Sequence, residues 1–330
     1  MPSTSFLSIA NLNTPIPSPD ATWNAPSAKH WMQDTLPSPG LYSASIPPSV
    51  NEWVGCFLET NDVSKMTHVS PITLRLLLCH LQNQVIQLRS SIDVILSRGQ
   101  PHKGPRHTSI ALLSLQVQEA QELLQKWYDL AKTLGPSEAA STAAAANMIL
   151  YHLIVLNTMV SFPEIERLAR GSKDDPRSKS PSPSRSERAY HLENTREIYF
   201  HCGQVLRHIR SIPEPARPPW WAGATYHVAL IAWANGTGSA DVNGGELGAQ
   251  GTLPLDVLPA EHTSIVAYLN RQGGIPVFSD STGSTISLGD SVGVLRHCAR
   301  SLDTGIKTKF THGIQRKLLT MANRWEGRNS

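Results

Sequence analysis

Along this chain apolar side chains recur mostly at steps of three and four residues, the spacing that lines one face of an α-helix. Trp53, Val54, Phe57 and Leu58 make the first such face. Ser70-Pro71 marks a helix start, because Ser accepts the first free amides and Pro is tolerated where no donor is needed. Leu74, Leu77, Leu78, Leu81, Val85, Leu88, Ile92 and Ile95 then predict a long helix to about residue 97, stopped by Gly99 and Pro101. A second helix, over about residues 108–134, is expected to pack antiparallel to it and to bury Leu112, Leu115, Leu123, Trp127 and Leu130 before Gly135-Pro136 ends it. From about 137 to 170 a third segment runs through an alanine tract into Ile149, Leu150, Leu153, Ile154, Leu156 and Val160. Its apolar residues occupy nearly every face, which only surrounding protein can cover, so it is predicted to be central, with Pro163 kinking or interrupting it.

The helical pattern returns with Ile198, Cys202, Val205, Leu206, Ile209 and Ile212, is stopped by Pro213 and Pro215, and resumes from Trp220 to Trp233. Further helices are predicted near residues 260–271, 290–303 and 306–326, the last with Phe310, Ile314, Leu318, Met321 and Trp325 on one face. The intervening Gly/Ser stretch has room for at most a short hairpin. Strand-like runs are too few for a parallel sheet, which removes most nucleotide-binding folds. The fold class is therefore all-α: an irregular array of about eight to nine helices around a central hydrophobic one, with disordered loops. Residues 1–48 read as an extended Pro/Ser-rich segment with a short turn at Ala25 to Met32, and residues 49–327 as the helical domain. Inside it, residues 171–187 lack any apolar anchor and read as a disordered loop, and 235–252 as a Gly-rich loop.

Composition changes this picture little. A net charge of +3 over 330 residues is too small to imply nucleic-acid binding by electrostatics alone. The basic residues near the C-terminus read as solvated helix faces. Cys56, Cys79, Cys202 and Cys298 form no C-x-x-C pair and read as reduced, mostly buried thiols. No leader is recognisable and no apolar window reaches the length of a membrane span, so an intracellular protein with no membrane partner is expected.

Candidate chemistry is sparse. Gly289-Asp290-Ser291-Val292-Gly293 fits the G-x-S-x-G pattern of a hydrolase nucleophile, with His297 and His312 downstream. That fold needs its acid and base on later strands, and only helical pattern follows, so a helix start capped by Asp290 or Ser291 is preferred. Cys79-His80, His201-Cys202 and His297-Cys298 are adjacent on helices and point about 100° apart, so a buried Cys beside a partly exposed His is expected in each pair, and no metal site. If a ligand pocket exists it is expected near His201, Trp220, Trp221, Tyr226, His227 and Trp233, where two helices present rings and imidazoles together; the competing reading is plain core. Ser180 and Ser182 each precede a proline and are candidate phosphorylation sites.

With the segments placed, TWNAPSAKHW (22–31), ILYHLIVLNTMVSFPEIERLARG (149–171), YFHCGQVLRHIRSIPEPARPPWWAGATYHVALIAWA (199–234), GGIPVFSDSTGSTISLGDSVGVLRHCARSL (273–302) and KLLTMANRW (317–325) resemble, in order, the regulatory (middle homology) domain of fungal-specific transcription factors. The closest look is to members that carry two-Cys two-His zinc fingers ahead of it. The resemblance implies an all-α fold, a nuclear role in gene control, contacts with co-regulators, self-association or a small-molecule inducer, and no catalytic residues. Zinc is implied only for the DNA-binding module, and no zinc-ligand set precedes residue 22, so DNA reading is not carried over to this chain. A small serine hydrolase and a non-transcriptional helical scaffold are the rival readings.

Overall fold

A computed structural model describes residues 13–16, 25–35, 49–60, 62, 66, 69–97, 106–136, 141–170, 185–238, 251–280 and 282–329. Among them stand eleven α-helices: α1 (Ala28–Thr35), α2 (Val50–Glu59), α3 (Pro71–Ser97), α4 (Arg106–Ala131), α5 (Thr142–Met159), α6 (Phe162–Arg170), α7 (Arg185–Ser211), α8 (Trp221–Gly238), α9 (Thr263–Leu269), α10 (Ser291–Ser301) and α11 (Lys309–Asn329). The fold is all-α apart from one small sheet. Most of the 171–187 segment lies outside the described residues, and so do Ser180 and Ser182.

The starts of the helices follow from local chemistry. Ser49 and Glu52 form a capping box at α2, each side chain taking the other's backbone N–H. At α3 the Ser70 hydroxyl accepts the Thr73 amide at 3.3 Å, and the Thr73 hydroxyl accepts the Ser70 amide at 2.8 Å. Ser141 caps α5 through the Ala144 amide at 3.1 Å. Pro163 does interrupt the third segment: α5 stops at Met159, and α6 begins at Phe162 with Pro163 in its first turn, where no donor is missed.

α5 is the centre of the array. Ile149, Tyr151, His152, Ile154, Leu156 and Met159 are buried and point to all sides, because α3 and α7 pack along it and α4 closes a third side. Its 18 residues, Thr142–Met159, are long and apolar enough to cross a membrane, contrary to the expectation that no window reaches that length. In this fold the stretch is a core helix, and the same burial explains its composition. Each fully buried Leu or Ile here, such as Leu156 or Ile149, contributes roughly 1.5–3 kcal/mol of apolar transfer.

The second half of the array is built on α8. Ala222, Ala229 and Ala232 are fully buried and let α7 and α10 approach closely, with α11 packed on both α8 and α10. α8 continues to Gly238, three residues past the expected start of the Gly-rich loop at 235, whose residues 239–250 are outside the described set. Gly236 permits this run: a Cβ there would lie 2.8 Å from the Leu288 carbonyl oxygen and 2.6 Å from Ser291 Oγ.

The Gly/Ser stretch holds more order than a short hairpin. β1 (Thr252–Pro254) pairs in parallel with β2 (Ile275–Ser279), and β2 pairs antiparallel with β3 (Thr285–Ser287). The parallel pair closes a loop that contains α9. Arg271, at φ 63°, ends that helix in a left-handed conformation while the Gln272 amide donates to the Ala267 carbonyl at 2.8 Å. α7 holds the segment by its backbone: Gln204 Nε2 donates to the Leu255 and Leu258 carbonyls, Arg196 to the Tyr268 carbonyl, and Arg210 to the carbonyls of Asp256 and Ser279. Arg210 also pairs with the buried Asp256 carboxylate at 2.6 Å.

Several expectations about burial are corrected. Leu112 and Leu115 are exposed, at 57% and 62%, because only the later turns of α4 meet the core, through Leu124, Trp127 and Leu130. Phe310 is also exposed, so the buried face of α11 starts at Ile314. Of the expected Cys–His pairs, Cys79 is exposed, whereas both His201–Cys202 and His297–Cys298 are buried on both members, since α7 and α10 are covered on more than one side. Residues 28–35 form a helix rather than a turn. Ile16 is buried, with Pro15 bridged to Ser49, so the start of the chain is not wholly detached from the core.

Candidate functional site

A cavity of about 220 Å³ opens between α4, α5, α7 and residues 260–261. Its back wall is Trp127, fully buried and fixed by its indole N–H donating to the Leu74 carbonyl at 2.9 Å. Tyr151 stacks against Trp127 and Tyr128, with ring centres 5.4 and 5.2 Å apart. Asn147 is locked by donating to the Pro71 carbonyl at 2.6 Å and accepting from Arg75.

Three imidazoles meet beside this wall. His152 Nδ1 and His201 Nδ1 are 2.8 Å apart, so one ring donates, the other accepts, and their tautomers are complementary. His208, two turns beyond His201 on α7, stacks on His152 with centres 5.7 Å apart. Burial drives all three below the ordinary imidazole range: His152 well down, with His201, His208 and Arg207 adding to the effect, His201 to about 3 and His208 to about 4. The floor is thus uncharged at neutral pH. Among the described residues no group of three or more His, Cys, Asp or Glu side chains is placed to hold a metal ion.

Charge is confined to the mouth. Glu261 accepts from the Tyr128 hydroxyl at 3.1 Å and pairs with Lys132 at 3.8 Å, while the Lys132 ammonium sits 4.3 Å above the Tyr128 ring. Burial, then the Glu261 carboxylate, raises the Tyr128 phenol, which stays protonated. Arg207 also lines the cavity and, among the described residues, forms no ion pair. Such a lining offers flat faces, hydrogen-bond partners and a guanidinium.

The six residues expected near a pocket are distributed over four places. His201 alone adjoins the cavity, behind His152. Trp220 is half-buried, and Trp221 is buried under the Arg217 guanidinium. Tyr226 lies beneath Lys317 and His227 stacks on Phe162 at 4.7 Å. Trp233 packs on Trp325 with centres 5.1 Å apart. Sequence reasoning missed His152, Gln204, Arg207 and His208; the available signal was the polar set at steps of three and four within HCGQVLRH, facing a histidine in an otherwise apolar run.

Ser291 begins α10, whose N-terminus is capped by Asp290 through the Gly293 amide at 2.8 Å. Its hydroxyl packs at the Gly236 position, and among the described residues no imidazole bonds to it. His297, on the same helix, is buried beside Phe278.

Fold and site together define a mainly helical body with an aromatic-lined cavity among the described residues. The chain is similar to fungal proteins named transcription factors: Transcription factor MYCGRDRAFT_87993 of Zymoseptoria tritici (33% identity over 95% of this chain and 34% of the relative), Transcription factor 1 of Elsinoe fawcettii (32%, over 95% and 33%) and Transcription factor PfmaH of Pestalotiopsis fici (28%, over 97% and 33%). The chain spans about a third of the length of the curated relatives it matches. No family model matches it, and no solved structure matches it.

Proposed function

We propose that this chain is the helical regulatory portion of a fungal-type transcription regulator, acting in the nucleus through contacts with co-regulators or a second copy of itself. The observation that carries this reading is similarity to named transcription factors across 95% of the chain, beginning to end, rather than over one motif. The body is consistent with it: Gln204, Arg196 and Arg210 are spent on holding residues 255–279 against α7. DNA contact is assigned to none of the described residues; it belongs, in this reading, to a zinc module of the kind the resemblance implies.

The test is to fuse the chain to an unrelated DNA-binding domain and measure a reporter promoter carrying that domain's site. A change of severalfold in either direction is expected. A folded, nuclear, well-expressed fusion that leaves the reporter at the level of the DNA-binding domain alone would overturn the proposal.

A further inference from the structure

We infer that the cavity between α4, α5 and α7 is a binding site for a small planar aromatic carboxylate. A dry cavity of about 150 Å³ holds a benzene ring, so about 220 Å³ suits roughly a fused pair of rings.

Four of the lining side chains, Trp127, Tyr128, His152 and His208, carry rings. Trp127 and Tyr128 each stack on Tyr151, and His152, edge-on to Tyr151, stacks on His208. Aromatic faces favour offset or edge-on partners over aliphatic ones. The deeper polar side chains already have protein partners: Trp127 N–H, both ends of Asn147, and the Gln204 amide N–H. The interior therefore asks little hydrogen bonding of its occupant.

Charge sets the remaining requirement. The imidazoles are neutral, and Lys132 and Glu261 pair with each other at the mouth, which leaves the Arg207 guanidinium as the lining's net charge among the described residues. A guanidinium presents a fork of N–H donors that matches a carboxylate. The binding claim stands on this cavity alone; any effect of the ligand on transcription rests on the proposed function.

The experiment uses the purified chain at pH 7 and titrates 2-naphthoate, following quenching of tryptophan fluorescence and the heat of binding. Neutral 2-naphthalenemethanol and non-aromatic cyclohexanecarboxylate are the controls. Naphthoate is expected to bind at least tenfold more tightly than either. Arg207→Gln should bring naphthoate to the level of the alcohol, and Ala260→Trp, at the cavity wall, should abolish binding of both with the circular dichroism unchanged. If Ala260→Trp fails to fold, Ala131→Leu narrows the cavity from α4 and should weaken both ligands. Equal affinity for naphthoate and the alcohol, binding that survives the narrowed cavity, or no binding to the folded chain at millimolar naphthoate would each overturn the inference. A chain that binds naphthoate but is silent in the tethered reporter keeps the site and loses the transcriptional reading. A reporter-active fusion whose purified chain binds none loses the site alone.

Discussion

The cavity between α4, α5 and α7 and the junction of α8, α10 and α11 are made of the same materials: tryptophan, histidine and alanine on long helices. At the junction Ala222, Ala229 and Ala232 are fully buried and Gly236 brings α8 against the Leu288 carbonyl, so backbones close in and Trp233 fills what is left against Trp325. At the cavity Ala131, Ala144 and Ala260 line space that no neighbour fills, because Trp127, Asn147 and Gln204 are held back by hydrogen bonds to other segments. A small residue makes contact or leaves a void according to whether the opposing backbone is free to approach. Residue type alone does not tell the two outcomes apart.

Acid should separate the regions most strongly. In an unfolded chain an imidazole takes its proton near pH 6.5; in the fold His201 and His208 do so only at about 3 and about 4, and His152 also well below its ordinary range. Between those values the unfolded state holds more protons, so stability is full above about pH 6.5 and is lost as the pH falls, at roughly 1.4 kcal/mol per pH unit for each histidine. The cavity contributes three such groups and the side built on α8, α10 and α11 two, His227 and His297. Unfolding free energies from urea titrations at pH 7.5 and 5.0 should differ by several kcal/mol, with His208→Gln removing one share, and amide exchange should quicken first in α5 and α7.

Filling tests the comparison directly. Gly236→Val pushes a side chain into the Leu288 carbonyl and should cost about 3 kcal/mol, as overpacking does. Ala131→Leu adds the same three carbons at the cavity wall yet should stay within about 1 kcal/mol of the parent, because there is room for them and both residues suit a helix. Equal losses for the two in urea unfolding would erase the distinction. Ser141→Ala removes the α5 cap and should cost about 1 kcal/mol, with faster exchange at the helix start that carries Ala144 and Asn147 and none at the junction. The smallest effect is expected at Ser291: Ser291→Ala should change stability by less than about 0.5 kcal/mol, and a fluorophosphonate probe should leave the parent unlabelled.

Much of this architecture could be read in advance. Ser70-Pro71, the break at Pro163 and the all-round apolar segment around Ile149 to Val160 each act within a few residues, so local pattern is enough. Leu112 and Leu115 repeat with the same period as Trp127, yet period says only which residues share a face, not how far along a helix its neighbours extend. The parallel pairing of Leu253 with Pro276 depends on where α7 holds the intervening chain, which no short window records. His201 was visible as a candidate; its partner His152 was not, because a single histidine among apolar residues becomes informative only when α7 is laid beside α5.

The grip of α7 on residues 255–279 has a further consequence. Gln204, Arg196 and Arg210 hold that segment mainly through main-chain oxygens, which every amino acid supplies alike. Most letters of the loop can therefore drift while its path is kept, so the rim formed by Ala260 and Glu261 is free to be respelled without loosening the seat that presents it.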